Sequence, residues 1–140
     1  MKILFAADGS EYTKKALAFL VTNAELLGPD GELVVLNVQA PMPPRVTTMA
    51  GAGVVYQYHK DEGEKVLEPI NAFLDRHPVR YRSSWLVGHP AEEIVKAAAA
   101  EKAHMIVMGT HGHGVLARAL MGSVAQRVVV DSEVPVLLVK

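Results

Sequence analysis

The sequence predicts an α/β protein built on one doubly wound, five-stranded parallel sheet, strand order 3-2-1-4-5, with helices on both faces in a Rossmann-like layout. Three observations predict it. Short apolar runs alternate with longer stretches of helical period along the chain. Several runs are apolar on successive residues, so both their faces are meant for burial. Alternating elements of this kind place helices over both faces of a parallel sheet, and right-handed crossovers then leave the doubly wound topology. A length of 140 residues, half of them apolar, suits one continuous core. No internal repeat or second domain is evident.

Ile3–Ala7 forms the first strand and stops at Asp8-Gly9-Ser10. Ser10 is placed to cap the first helix through its hydroxyl. Leu17, Leu20, Val21, Ala24 and Leu27 make that helix's inward stripe, and Gly28-Pro29 ends it. Leu33–Val38 is the second strand. From Ala40 to about Val55 the chain is rich in Pro, Gly, Thr and Met, and Pro41, Pro43 and Pro44 argue against regular structure. A long loop is expected there, of the kind that serves as a lid or binding loop. Helical period returns at Val66, Leu67, Ile70, Phe73 and Leu74. Arg80 to Val87 alternates Arg80, Arg82 and Ser84 with Tyr81, Ser83 and Trp85, which places a strand with one wet face at a sheet edge. Pro90 opens the third helix in its first turn, with Ile94, Val95 and Ala98 inward. Met105–Met108 is apolar on both faces, hence a central strand. A short helix follows from about Ser123 to Val130, and Val134–Val139 is the last strand. The expectation is five strands and four helices.

Composition excludes several classes of function. The 14 basic and 15 acidic residues leave a formal charge of −1, so no basic face is implied and nucleic acid is not an expected partner. The absence of cysteine rules out disulfides, thiolate metal sites and cysteine nucleophiles. The apolar run at the N-terminus is about five residues, short of a secretory leader, and nothing approaches the ~18 apolar residues of a membrane span. A cytoplasmic protein without a membrane partner is expected.

Ligands of doubly wound sheets sit beyond the carboxyl ends of the strands. The informative segment there runs from Met108 to Ala125. Gly109, Gly112 and Gly114 crowd a strand end, where glycine lets backbone amides approach an anion closely. Gly122-Ser123 then opens a helix, whose free amides suit a phosphate. Two anion-holding features joined by one loop point to a polyphosphate; glycines that merely build turns are the plain alternative. A P-loop is excluded because the chain has no Gly-Lys pair. Gly112-His113-Gly114-Val115-Leu116-Ala117 fits the dinucleotide fingerprint formally, but too little chain follows to supply its acidic ribose ligand.

Gly109-x2-Gly112-x9-Gly122-Ser123 resembles the nucleotide-binding signature of the universal stress protein family. The opening Ile3-Leu4-Phe5-Ala6-Ala7-Asp8-Gly9-Ser10, Gly88-His89-Pro90, Met105-Ile106-Val107-Met108-Gly109 and the closing Val134-Pro135-Val136-Leu137-Leu138-Val139 are similar too, so the likeness spans essentially the whole chain. It implies the ATP-binding branch: one domain over 1–140 holding ATP or another adenine nucleotide, with Mg²⁺ or Mn²⁺. Asp8 stands where the family uses an acidic residue near ribose or adenine. Ala6 and Ala7 would line the base, with Val38 packed on it. Met108, Gly109, His111 and Gly112 would wrap the ribose and phosphates, and Gly122, Ser123 and Val124 would hold the outer phosphates. Two departures stand out: His113 where many relatives carry Arg, and Ala125 where some binders have a hydroxyl.

From the residues alone, Asp8 either caps the first helix or serves a ligand, as acceptor for a sugar hydroxyl or in ordering a metal near phosphates. His111 and His113 fall short of the three or four ligands of a zinc site, so no protein metal site is expected. His59, His77, His89 and His104 are expected at the surface. Arg118 and Arg127 are within sequence reach of a γ-phosphate but read more readily as solvated or interface arginines. No Ser-His-Asp arrangement stands out, and no catalytic residue is assigned. The last strand lies at a sheet edge in this strand order, and an apolar edge invites pairing with a second copy; the resemblance implies a homodimer as well. The resulting function is a nucleotide-binding stress or signalling module that works through a conformational or dimer change. The alternatives are a slow ATPase or nucleotide transferase using the same pocket, and an interaction module without a ligand.

Overall fold

The computed structural model describes residues 1–113 and 121–140. Five parallel strands form one sheet in the order β3-β2-β1-β4-β5: β1 (Lys2–Ala6), β2 (Glu32–Gln39), β3 (Tyr81–Val87), β4 (Met105–Gly109) and β5 (Val136–Val139). This is the predicted order, with β3 and β5 at the edges. The helices are α1 (Glu11–Thr22), α2 (Pro44–Ala50), α3 (Ala52–Leu74), α4 (Pro90–Ala100) and α5 (Ser123–Asp131), with a 3-10 turn at Ala24–Leu26.

Alternate strand residues serve two cores. Ile3, Phe5, Leu33, Val35 and Val107 face α1 and α3, packing against Ala16, Leu17, Leu20, Leu67, Ile70 and Leu74. Leu4, Ala6, Val34, Leu36, Ile106 and Met108 face α4 and α5, against Ile94, Ala98, Ala125 and Val128. The central strands β1 and β4 are buried from both sides, which is why they read as continuous apolar runs. In β3 the more exposed positions alternate from Tyr81 to Trp85, as an edge strand requires.

The segment 40–55 is not a loop. Residues 44–50 form α2, and α3 begins at Ala52, far upstream of the expected Val66. Pro43 and Pro44 fall at the N-cap and first position of α2, where a missing N–H costs no helical bond. Gly51, at φ 92°, separates the two helices in a conformation other residues rarely adopt. The described residues thus carry five α-helices rather than four.

Candidate functional site

Strand β1 ends in a tight turn organised by Asp8. Its Oδ1 accepts from the Ser10 amide at 2.9 Å and from the Thr13 hydroxyl at 2.8 Å. The Thr13 oxygen accepts in turn from the Asp8 amide at 3.0 Å. Ser10 caps α1, its side chain accepting from the Thr13 amide. Asp8 therefore does the structural work expected of a cap with one oxygen. Its Oδ2 points at Gly112: a Cβ built there would lie 2.5 Å from it.

Strand β4 ends in the glycine turn. The Thr110 amide donates to Val139 O on β5 at 2.9 Å, and Thr110 O accepts from the Gly122 amide at 2.6 Å. The His111 ring lies 5.0 Å from that of Tyr12 on α1, and its Nδ1 sits 2.9 Å from Thr110 Oγ1. His113 reaches across to the β1–α1 turn, with Nε2 2.7 Å from Asp8 O. A Cβ on Gly109 would meet Tyr12 Cβ at 2.5 Å. Gly109 thus permits the close approach of α1 to β4, and Gly112 makes room for the Asp8 carboxylate. Both positions have a packing reason for lacking a side chain.

Between these turns and the N-termini of α4 and α5 lies a cavity of about 290 Å³. Ala6, Ala7 and Asp8 line it from β1, Val38 and Leu36 from β2, and Met108 and Gly109 from β4. His111, Gly112 and His113 form one rim; Gly122, Ser123 and Val124 form another. The structure brings together all eleven residues singled out for ligand binding. Thr13, Leu36, Pro90, Ile94, His113 and Ala125 also line the cavity. Of these, Ile94 was legible as an inward residue of its helix. Thr13 owes its place to the bond with Asp8, which no sequence pattern announces.

The cavity has two chemical halves. Leu36, Ile94 and Met108 are buried and Val38 is half-buried, giving apolar walls fit for a flat ring. The α5 end is polar: Gly122 is its N-cap, with no side-chain capping bond. The amides of Ser123, Val124 and Ala125 belong to the first helical turn, which has no intrahelical acceptors. The Gly122 amide, expected to hold a phosphate, is spent on Thr110 O. Asp8 is the one Asp or Glu lining the cavity, and no Lys or Arg lines it among the described residues.

Other expectations fall elsewhere. Arg118 and Gly114 lie outside the described residues. Arg127 pairs with Asp131 at 2.8 Å and lines a separate, more open groove between α4 and α5. His59 is buried on α3, not superficial: its Nδ1 meets Gln39 Oε1 at 2.7 Å, while Gln39 Nε2 donates to His59 O at 2.7 Å. The sequence hid it because it faces the polar end of β2, where no apolar stripe marks burial. No group of three or more metal-ligating side chains occurs among the described residues. No helix among them is long and apolar enough to cross a membrane.

Fold and cavity define a doubly wound α/β protein with a strand-end pocket that is apolar inside and amide-rich at one rim. Comparison with known proteins identifies the group. The model of the universal stress protein family matches residues 1–140, and the chain belongs to that family. A universal stress protein of Methanocaldococcus jannaschii, MJ0531, is 34% identical over 140 residues, covering 99% of this chain and 81% of the relative. The solved structure of MJ0577, from the same organism, superposes with a TM-score of 0.85 at 31% identity, covering 99% and 94% of the two chains. More distant neighbours with the same fold were solved with nucleotides. An Arabidopsis thaliana family protein carries AMP (TM-score 0.71, 18% identity, 100% and 91% covered), and an Archaeoglobus fulgidus universal stress protein carries dAMP (0.68, 23%, 100% and 98%).

Proposed function

We propose that this protein binds an adenine nucleotide, ATP foremost, in the strand-end cavity, and acts as a stress-response or signalling module through a nucleotide-dependent conformational or dimer change. The observation that carries the reading is the opening of the uncapped first turn of α5 onto the rim of an apolar pocket. A helix N-terminus with free amides suits a phosphate, and the pocket behind it suits a base. AMP and dAMP in structural relatives of the same fold support the choice of adenine. The base and sugar would lie against Ala6, Ala7, Val38 and Met108. The phosphates would meet the amides of Ser123 and Val124, with His111 and Gly112 beside them. The volume, about 290 Å³, lies just below the ~300–1,000 Å³ typical of ligand pockets. The phosphates therefore belong on the rim.

A divalent ion has no cage of protein ligands here among the described residues. Mg²⁺ or Mn²⁺ would arrive with the phosphates, and Asp8, whose Oδ2 faces Gly112, is the acidic residue lining the cavity among the described residues. Calorimetry with AMP, ADP and ATP, with and without Mg²⁺, tests the reading. Saturable binding of at least one nucleotide is expected. In the Gly122→Val variant it should fall at least tenfold with the circular dichroism spectrum retained, because a Cβ at 122 already stands 3.3 Å from His111 Cα and 3.4 Å from Thr110 O. Absence of binding to all three nucleotides rejects the proposal.

The same reading includes a cytoplasmic homodimer through β5. Its support is an edge strand whose four residues, Val136–Val139, are all half-buried in the single chain. Light scattering after size exclusion should give twice the 15.1 kDa chain mass; a strict monomer at micromolar concentration rejects the dimer.

A further inference from the structure

The glycine turn that would face the phosphates is tied down at several points, one of which joins two residues that line the pocket. On one side Thr110 bonds both β5 and the cap of α5, through Val139 O and the Gly122 amide. On the other side the contact bridging 105 residues is His113 Nε2 to Asp8 O, at 2.7 Å. A carbonyl oxygen only accepts, so this ring nitrogen carries a hydrogen and donates it. Asp8 is itself fixed by Ser10 and Thr13, so His113 is anchored to a rigid point rather than to another mobile side chain. Between the two anchored ends lie His111 and Gly112, the residues that line the rim.

We infer that His113 is a positioning residue for the nucleotide site: by donating to the Asp8 carbonyl it latches the 109–113 turn onto the β1–α1 turn before any ligand arrives. This rests on the nucleotide-binding reading for its consequence, but not for the latch itself. A pre-organised rim spares the ligand the ordering cost of the turn. The His113 ring is exposed, so its loss opens no cavity in the core. One hydrogen bond is worth about 1 kcal/mol, which is roughly fivefold in affinity.

The test compares wild type, His113→Ala and His113→Gln in two measurements on the full chain. The Gln amide places a donor near the position of Nε2, so it tests the bond rather than the ring. Hydrogen exchange of the 109–113 amides is read without ligand, and AMP is titrated by calorimetry. The latch predicts faster exchange and about fivefold weaker AMP binding in H113A, with both largely restored in H113Q. Unchanged exchange in H113A overturns the latch. Faster exchange with AMP affinity unchanged overturns the positioning role, as does a loss that H113Q fails to restore. Failure of the wild type to bind AMP, ADP or ATP rejects the nucleotide reading and with it the positioning role, while the exchange data still decide the latch.

Discussion

Gly112 and Asp8 show how tightly the site is specified at the residue scale. A methyl group at 112 would stand 2.5 Å from Asp8 Oδ2. The carboxylate cannot swing away freely, because its other oxygen holds the Ser10 amide and the Thr13 hydroxyl. Gly112→Ala must therefore break those bonds or push the turn outward. A loss of about 1–3 kcal/mol is expected, the usual cost of overpacking. In the Asp8→Ala background the obstacle is gone, so the penalty should shrink to a few tenths of a kcal/mol. Denaturant unfolding of the two singles and the double measures this coupling; equal penalties in both backgrounds would show that the carboxylate is not the obstacle. Glycine frequency pointed to this segment from sequence alone, but the reason lay in a partner 104 positions upstream. Spacing reveals where glycines gather, and only the fold reveals what each one avoids.

At the scale of elements, what was legible depended on whether burial imposes a period. The two-sided runs of β1 and β4 and the alternation in β3 were readable because each reflects the faces its strand buries. The front of α3 was not readable. Its residues Ala52–Tyr58 carry no buried side chain, and Val54, Tyr56 and Tyr58 are exposed. The apolar stripe begins only where the helix reaches the sheet. Gly63 marks the passage: a Cβ there would meet Trp85 Cγ at 2.5 Å and Cδ1 at 2.7 Å, so the indole of β3 lies against bare helix backbone. Two effects compete in Gly63→Ala. Helix propensity favours alanine by about 1 kcal/mol, whereas forcing a methyl from the buried Gly63 into the half-buried indole costs about 1–3 kcal/mol. The rigid ring has no flexible end to yield, so net destabilisation is expected, with recovery in the Gly63→Ala/Trp85→Leu double variant relative to Trp85→Leu alone. Thermal melts decide it: a higher midpoint for Gly63→Ala would mean that α3 slides freely over β3. The segments at the ends of β1, β2 and β4 were easier to place than this helix, because strand order carries those ends to one side of the sheet, while the individual ligand-site residues came from the family resemblance.

The molecule as a whole divides by the two ends of its sheet. The cavity occupies the carboxyl end, while the two most displaced titrations, those of Tyr81 and Arg82, lie at the amino end. Arg82 pairs there with Glu32 and Glu101, and Lys2 adds a second cation near Glu101. The Arg82 guanidinium holds the Glu101 carboxyl below its ordinary range, so that pair contributes stability above pH 4.5 and loses it as the carboxylate protonates below. The alkaline limb belongs to Tyr81, at the start of β3. Its hydroxyl donates to Asp75 Oδ1 at 2.6 Å and lies 3.1 Å from Asn71 O, joining β3 to the end of α3. Chiefly through that bond to a carboxylate, its pKa is pushed up to about 12 from 10.0. The neutral phenol is thus favoured by folding. Its contribution is complete below pH 10 and is lost as pH rises from 10 towards 12, because the phenolate can no longer donate and faces Asp75 as a like charge. Solvent near the pair screens it, so its worth is about 1 kcal/mol. Tyr81→Phe should lower stability at pH 8 by that amount and narrow the gap to wild type between pH 10 and 12, as both chains lose their other alkaline-sensitive contributions together. Urea unfolding at pH 8, 10 and 11.5 measures the difference. A gap that stays constant across the three would mean that the Tyr81–Asp75 bond does not persist in solution and that β3 is held to α3 by packing alone.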